Sequence, residues 1–162
     1  QSDFALRPLR EELAFACDAL EIRRDTLELG ADMCIEVDEA VKDWPVPPMV
    51  VETFVENSLK YASSDEKLQI HVSAWQEENY GMRDLHLTLF DNGPGYPESW
   101  LEIINDDAPD NGKHIGLTNL KKRLALLYGN RASISIFNDH GAVAEILLPI
   151  AESGLIAENR PK

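Results

Sequence analysis

The chain is short of positive charge. Its 162 residues carry 15 lysines and arginines against 29 aspartates and glutamates, giving a formal net charge of -14 and an isoelectric point near 4.6. Affinity for nucleic acid rests on basic surface that neutralises phosphates, so no nucleic-acid partner is expected. A small anion is still compatible, most easily with a divalent cation between its phosphates and nearby oxygens. No apolar run approaches the ~18 residues of a membrane-spanning helix, and no charged-then-apolar leader opens the chain, so neither a span nor a secretion signal is expected in it. Only two cysteines occur, Cys17 and Cys34, without CxxC spacing. Both sit in apolar patterns, which predicts reduced thiols in the core of a cytosolic protein. Repeats and low-complexity segments are absent. What is present is an ordinary globular composition, 44% hydrophobic and 27% charged, long enough for one domain that buries about 70% of its unfolded surface.

Leu6, Leu9, Leu13, Cys17 and Leu20 recur at helical spacing and predict a first helix, with Pro8 tolerated in a first turn that needs no backbone donor. The chain begins abruptly with "QSDFALRPL", as expected of a domain belonging to a longer protein. "ADMCIEVD" reads as a strand, "DWPVPP" breaks regular structure, and "MVVETFVENSLKYA" predicts a second helix. Leu68, Ile70, Val72 and Ala74 alternate as one strand and Leu85, Leu87 and Leu89 as the next, separated by the polar connection "QEENYGMR". Residues 97–113 read as a short helix and then an acidic, turn-rich loop; residues 105–114, polar and poor in anchors, suggest a mobile lid. Leu117, Leu120, Leu124 and Leu127 predict a third helix that ends at Gly129. "ASISIF" and "AVAEILLPI" flank "NDHG" as a hairpin, and the polar tail 151–162 is expected to fray. Adjacent strands with helices interspersed predict an α+β fold, a two-layer sandwich in which helices cover one face of a sheet.

Three stretches carry candidate chemistry. In "LTLFDNGPGYPESW", alternation puts Asp91 on the core-facing row of Leu85, Leu87 and Leu89. A buried carboxylate is costly without partners, so Asp91 either escapes to solvent at the turn or meets a fixed donor. A simple hairpin at Asn92-Gly93 would need a strand next, and "PGYPESWLEI" contains two prolines and then a helical pattern. Gly93 and Gly95 mark a sharp bend or a close approach of ligand to backbone. On the second helix, Val51, Phe54, Val55, Ser58, Leu59 and Ala62 share one side, with Thr53, Glu56, Asn57 and Lys60 opposite. That opposite side is either a solvated face with a Glu56–Lys60 pair, or a phosphate site: Asn57 a neutral oxygen for Mg²⁺, Lys60 a phosphate contact, Glu56 a base. Finally, in "NGKHIGLTNLKKRL", Gly112 and Gly116 bracket a helix entry whose free N–H groups suit an anion.

In this order and spacing the stretches resemble the ATP-binding boxes of the GHKL superfamily of histidine kinases, gyrase B, Hsp90 and MutL. "VENSLKYA" is similar to the N box, "DNGPG" to the DxGxG box and "GLTNLKKRL" to the last glycine box. The leading "LREELAFACDALEIRRD", with "PPMVVETFVENSLKYA" and "HIGLTNLKKRLALLYG", most resembles LytS/YehU-like sensor histidine kinases. The resemblance implies a Bergerat fold over residues 1–150, with a mixed, mostly antiparallel sheet. It also assigns roles: Asp91 to the adenine amino group, Gly93 and Gly95 to room for base and ribose, Tyr61 to lining the nucleotide, Asn57 to Mg²⁺. Lys60 would touch phosphate, Glu56 would orient or deprotonate the attacking imidazole, and His114, Ile115, Gly116 and Leu117 would lie where the third helix meets the phosphates. His114 stands where family members often have glycine.

The implied function is the catalytic ATP-binding domain of a two-component sensor kinase, using ATP and Mg²⁺. The phosphoacceptor histidine would lie on a dimerisation helix absent from this chain, because His71, His86, His114 and His140 fall in strands, a loop or a turn. A response regulator downstream, a homodimeric parent and a cytoplasmic position in a membrane-anchored protein are implied with it. An anti-sigma-factor-type serine kinase and a non-catalytic nucleotide-sensing module are the alternatives.

Overall fold

The computed structural model describes residues 5–110 and 115–150. In chain order, the elements are β1 (Arg7–Pro8), α1 (Leu9–Arg23), β2 (Ala31–Val37), β3 (Pro45–Val46), α2 (Glu52–Lys60), β4 (Leu68–Asn79) and β5 (Met82–Asp91), then α3 (Glu98–Asn105), α4 (Ile115–Tyr128), β6 (Ser133–Asn138) and β7 (Ala142–Pro149). Five strands form one sheet in the order β2-β4-β5-β7-β6, and β1 pairs with β3 in a small ribbon. Among the described residues, only β2–β4 is parallel within the large sheet; the other three pairings are antiparallel.

Alternation builds the core. Leu68, Ile70, Val72 and Ala74 on β4, Leu85, Leu87 and Leu89 on β5, and Ala144, Ile146 and Leu148 on β7 all point to the inner face and are buried. Leu9, Leu13 and Leu20 of α1, Phe54, Val55 and Leu59 of α2, Trp100, Ile103 and Ile104 of α3, and Leu117, Leu120, Leu124 and Leu127 of α4 belong to the same cluster. Helices thus cover one face of a mixed sheet, the expected two-layer α+β sandwich.

Two expectations need correction. The connection "QEENYGMR" is not a loop, because β4 runs on to Asn79, β5 starts at Met82, and a two-residue turn at Tyr80 and Gly81 joins them with positive φ of 55° and 76°. That end of the hairpin is exposed on both faces, so it shows no apolar alternation to read. Both cysteines are exposed. Along α1 the buried positions are Leu9, Glu12, Leu13, Ala16 and Leu20, which leaves Cys17 just off the stripe, while Cys34 alternates to the outer face of edge strand β2. The first part of the expected lid, residues 105–108, carries several hydrogen bonds. Asn105 pairs with the edge of β6 by donating to the Ile136 carbonyl (2.7 Å) and accepting from its N–H (2.9 Å). The N–H groups of Asp106 and Ala108 both donate to the Glu102 carbonyl, and the Lys121 ammonium bridges the Ile104 carbonyl and Asp107. The remainder of the expected lid, 111–114, and the tail from 151 lie outside the described residues.

Candidate functional site

The end of β5 delivers Asp91 to the inner face, and the next element in the chain is a helix, α3, not a strand. Asp91 is 6% exposed. Its carboxylate is fixed by two donors: the Ser58 hydroxyl reaches Oδ2 at 2.6 Å and the Gly93 N–H reaches Oδ1 at 2.8 Å. Ser58 therefore joins the apolar side of α2 for a polar reason. A Cβ on Gly93 would stand 3.0 Å from Asp91 Oδ1, so glycine lets the chain turn back onto the carboxylate.

Asparagine side chains lock the loop after Asp91. Asn92 Oδ1 accepts the Gln69 N–H at 2.8 Å and its amide donates to the Lys67 carbonyl at 3.1 Å. From β6, Asn138 does the same to Tyr96, accepting its N–H at 2.7 Å and donating to its carbonyl at 2.9 Å. Each amide imitates a strand partner where the backbone has none. Gly95, at φ +88°, lies so close that a Cβ would meet Asn138 Oδ1 at 2.7 Å. The β6–β7 turn closes in from the other side, for a Cβ on Gly141 would come within 1.9 Å of the Asp91 carbonyl oxygen.

Between α2, this loop and α3 opens a cavity of about 360 Å³, a size suited to a small organic ligand. Asn57, Ser58 and Asp91 give it polar walls; Phe54, Tyr61, Tyr96 and Trp100 give it aromatic ones. The Tyr61 and Trp100 rings meet edge to face at 5.4 Å, and Tyr96 tilts against Trp100 at 5.9 Å. The Tyr96 hydroxyl is buried without a hydrogen-bond partner among the described residues. Burial first, and the nearby Asp91 charge second, push its pKa well above the usual tyrosine value.

Of the residues singled out from sequence, Asn57, Tyr61, Asp91 and Gly95 line this cavity, and Gly93 supports Asp91 from behind. Lys60 does not: it is exposed, with its ammonium 5.3 Å from the centre of the Tyr61 ring. Glu56 is half-buried one position before Asn57, and its charge helps raise the carboxyl of Glu52, an effect that burial leads. Gly116 packs against α2, where a Cβ would stand 3.3 Å from Thr53 Cγ2, and Leu117 is buried in the core. This close approach brings the first turn of α4 beside the Glu56–Asn57 helix. His114 and the side chain of Ile115 lie outside the described residues. Sequence reasoning missed Phe54, Ser58, Tyr96, Trp100, Asn138 and Gly141 as parts of the site. The spacing of Tyr96 and Trp100 across the start of α3 was a signal available in "YPESW".

The chain belongs to the histidine kinase-, DNA gyrase B- and HSP90-like ATPase family, whose model matches residues 48–152. Within it, the chain is similar in sequence to sensor proteins and in fold to histidine-kinase catalytic domains. It is 28% identical over 156 residues to the sensor protein LytS of Enterococcus faecalis, covering 93% of this chain and 26% of that one. To LytS of Staphylococcus epidermidis it is 30% identical over 150 residues, covering 90% and 25%. It thus spans about a quarter of the length of these relatives. Among solved structures, the catalytic domain of histidine kinase ThkA superposes with a TM-score of 0.67 at 21% identity, covering 96% of this chain and 97% of that one. Full-length ShkA in complex with AMPPNP gives 0.65 at 16% identity, over 91% and 32% of the respective chains.

Proposed function

We propose that this chain is the catalytic ATP-binding domain of a two-component sensor histidine kinase, which transfers the γ-phosphoryl group of ATP to a histidine on a dimerisation helix outside the chain. One arrangement carries the reading: a buried carboxylate, Asp91, fixed by Ser58 and Gly93 in the wall of an aromatic cavity, in a chain of this ATPase family. Each carboxylate oxygen has more than one lone pair, so Asp91 retains acceptor capacity for an N–H of a planar base. Tyr61, Tyr96 and Trp100 offer such a base apolar contact, and Gly93 and Gly95 leave it room. ShkA, similar in fold, is solved in complex with AMPPNP, which supports nucleotide binding by a domain of this fold.

From the cavity, α2 leads toward the phosphates. Asn57 offers a neutral oxygen where Mg²⁺, when bound, supplies neutralisation of the phosphate charge. Lys60 is long and exposed enough to reach a phosphate from the end of the helix. Ile115, Gly116 and Leu117 open α4, where free N–H groups favour an anion, and His114, the next residue before them in sequence, is assigned to the same phosphate contact. Glu56 orients the incoming imidazole or takes its proton as the N–P bond forms and the bond from phosphorus to the departing ADP oxygen breaks. The parent is a homodimeric, membrane-anchored sensor with this domain in the cytoplasm, and a response regulator receives the phosphate.

A longer protein that includes the acceptor helix, given ATP and Mg²⁺, should form acid-labile, base-stable phosphate on that helix. Glu56→Gln should bind ATP nearly as the wild type and transfer about 10²–10⁴-fold more slowly. Transfer at the wild-type rate would remove Glu56 from the mechanism. Acid-stable phosphoserine would indicate a serine kinase of the anti-sigma-factor type, and nucleotide binding with no transfer a sensing module.

A further inference from the structure

The inner face of the sheet is occupied by the core and the nucleotide cavity, but the outer face carries a cluster of donor atoms that neither uses. We propose that Cys34, Glu36 and His71 form a surface site for a transition-metal dication of the zinc type. Strands β2 and β4 run parallel with Cys34 directly opposite His71 and Glu36 opposite Ser73. Cys34 and Glu36 are two residues apart, so alternation puts both on the outer face. One ligand atom from each of the three side chains lies within 4.8 Å of the other two, and all three residues are exposed.

A tetrahedral ion with a metal–sulfur distance of about 2.3 Å and metal–nitrogen or –oxygen distances of about 2.0–2.2 Å needs its ligand atoms about 3.3–3.8 Å apart. Closing the cluster to that spacing takes rotations of exposed side chains, while the β ladder holds their backbones at fixed register. The donor set is selective. Thiolate and imidazole suit Zn²⁺ and its late first-row neighbours, whereas Mg²⁺ and Ca²⁺ prefer oxygen ligands throughout. Binding releases the Cys34 thiol proton to solvent and sets two ligand charges, the thiolate and the carboxylate, against the dication. Three protein ligands leave one tetrahedral corner for water or for a donor from another molecule. The site lies across the sheet from the nucleotide: His71 and Phe90 project outward as a pair with rings 6.1 Å apart, while their neighbours Ile70 and Asp91 project inward. Metal and nucleotide therefore bind independently.

The test is titration of the full 162-residue chain, stripped with chelator, by Co²⁺ and then Zn²⁺. Saturable one-to-one binding is expected, with a thiolate-to-cobalt charge-transfer band and tetrahedral d–d bands that Zn²⁺ abolishes by displacement. Cys34→Ser should lose the charge-transfer band. His71→Ala and Glu36→Gln should each weaken Zn²⁺ by at least the about 10–100-fold that loss of mere supporting residues costs a metal site. Cys17→Ser should change nothing, and circular dichroism should show every variant folded. Absence of saturable binding, or a charge-transfer band that survives Cys34→Ser, would overturn the proposal and leave polar residues that only guard a sheet edge. Asp91→Asn should bind Co²⁺ as the wild type does; a failure of the nucleotide reading would leave this result untouched.

Discussion

Replacing Asp91 by asparagine removes a charge with almost no change of shape. In the wild type, Oδ1 accepts the Gly93 N–H at 2.8 Å and Oδ2 the Ser58 hydroxyl at 2.6 Å. In the variant the amide oxygen can remain toward Gly93, while the NH₂ takes the place of Oδ2 and the Ser58 hydroxyl rotates to accept from it. Both internal bonds survive in number, so the free protein should keep its fold. What disappears is the charged acceptor available to an N–H donor of a nucleobase. A hydrogen bond to a charged group is worth about 1.5–3 kcal/mol, so ATP should bind about 10- to 150-fold more weakly. Calorimetry with MgATP measures this, and thermal melting of the ligand-free proteins separates lost binding from lost fold. The amide also brings a donor where only acceptors stood, so a 6-oxo purine nucleotide should gain on ATP in the variant. Unchanged ATP affinity in a variant that melts like the wild type would refute the assignment of Asp91 to the base.

Asn57→Ala should lose the Mg²⁺-dependent part of ATP affinity while binding in EDTA is little altered; equal losses with and without Mg²⁺ would count against a metal role. Asn138→Ala strips the Tyr96 backbone of both its side-chain partners and should cost about 1–3 kcal/mol. At about 2–4 °C per kcal/mol for a chain of this size, melting should fall by several degrees, with looser nucleotide binding as the Asp91 loop relaxes; an unchanged melting temperature would show that the clamp is dispensable. Glu12 is fully buried in α1 with Arg7 Nε 2.9 Å from its carboxylate. Burial, the largest influence, raises its carboxyl above the ordinary 4.5 even though Arg7 pulls it down. The folded chain then holds a proton that the unfolded chain has already released, so this contribution to stability is full below about 4.5 and is lost as pH rises through the higher folded value. Glu12→Gln cannot titrate, so its melting temperature relative to the wild type should rise across that window. Parallel curves would refute the shift.

The local pattern made the elements of this fold legible. Period-two alternation in β4 and β5, period-3.6 spacing in α2 and α4, and the proline-rich break before α2 each act over a few residues, and the structure follows them. Asp91 could be placed on the core-facing row because alternation is a property of one strand. The spacing of "VENSLKYA", "DNGPG" and "GLTNLKKRL" then identified the family, which also supplied the sheet's mostly antiparallel character.

Contacts between distant segments were decided only by the tertiary structure. Nothing within "VENSLKYA" says that Ser58 would hold Asp91, because that bond spans 33 positions. Nor does "SISIFN" announce that Asn138 would clamp Tyr96, which is 42 positions away. The cysteines show the same limit: their apolar neighbours predicted burial, yet a single step of helix rotation exposes Cys17, and membership of an edge strand exposes Cys34. Side-chain period can be read along a chain, whereas which faces meet depends on how helices and strands pack together, and that packing set the aromatic cavity, the asparagine clamps and the pairing of Cys34 with His71.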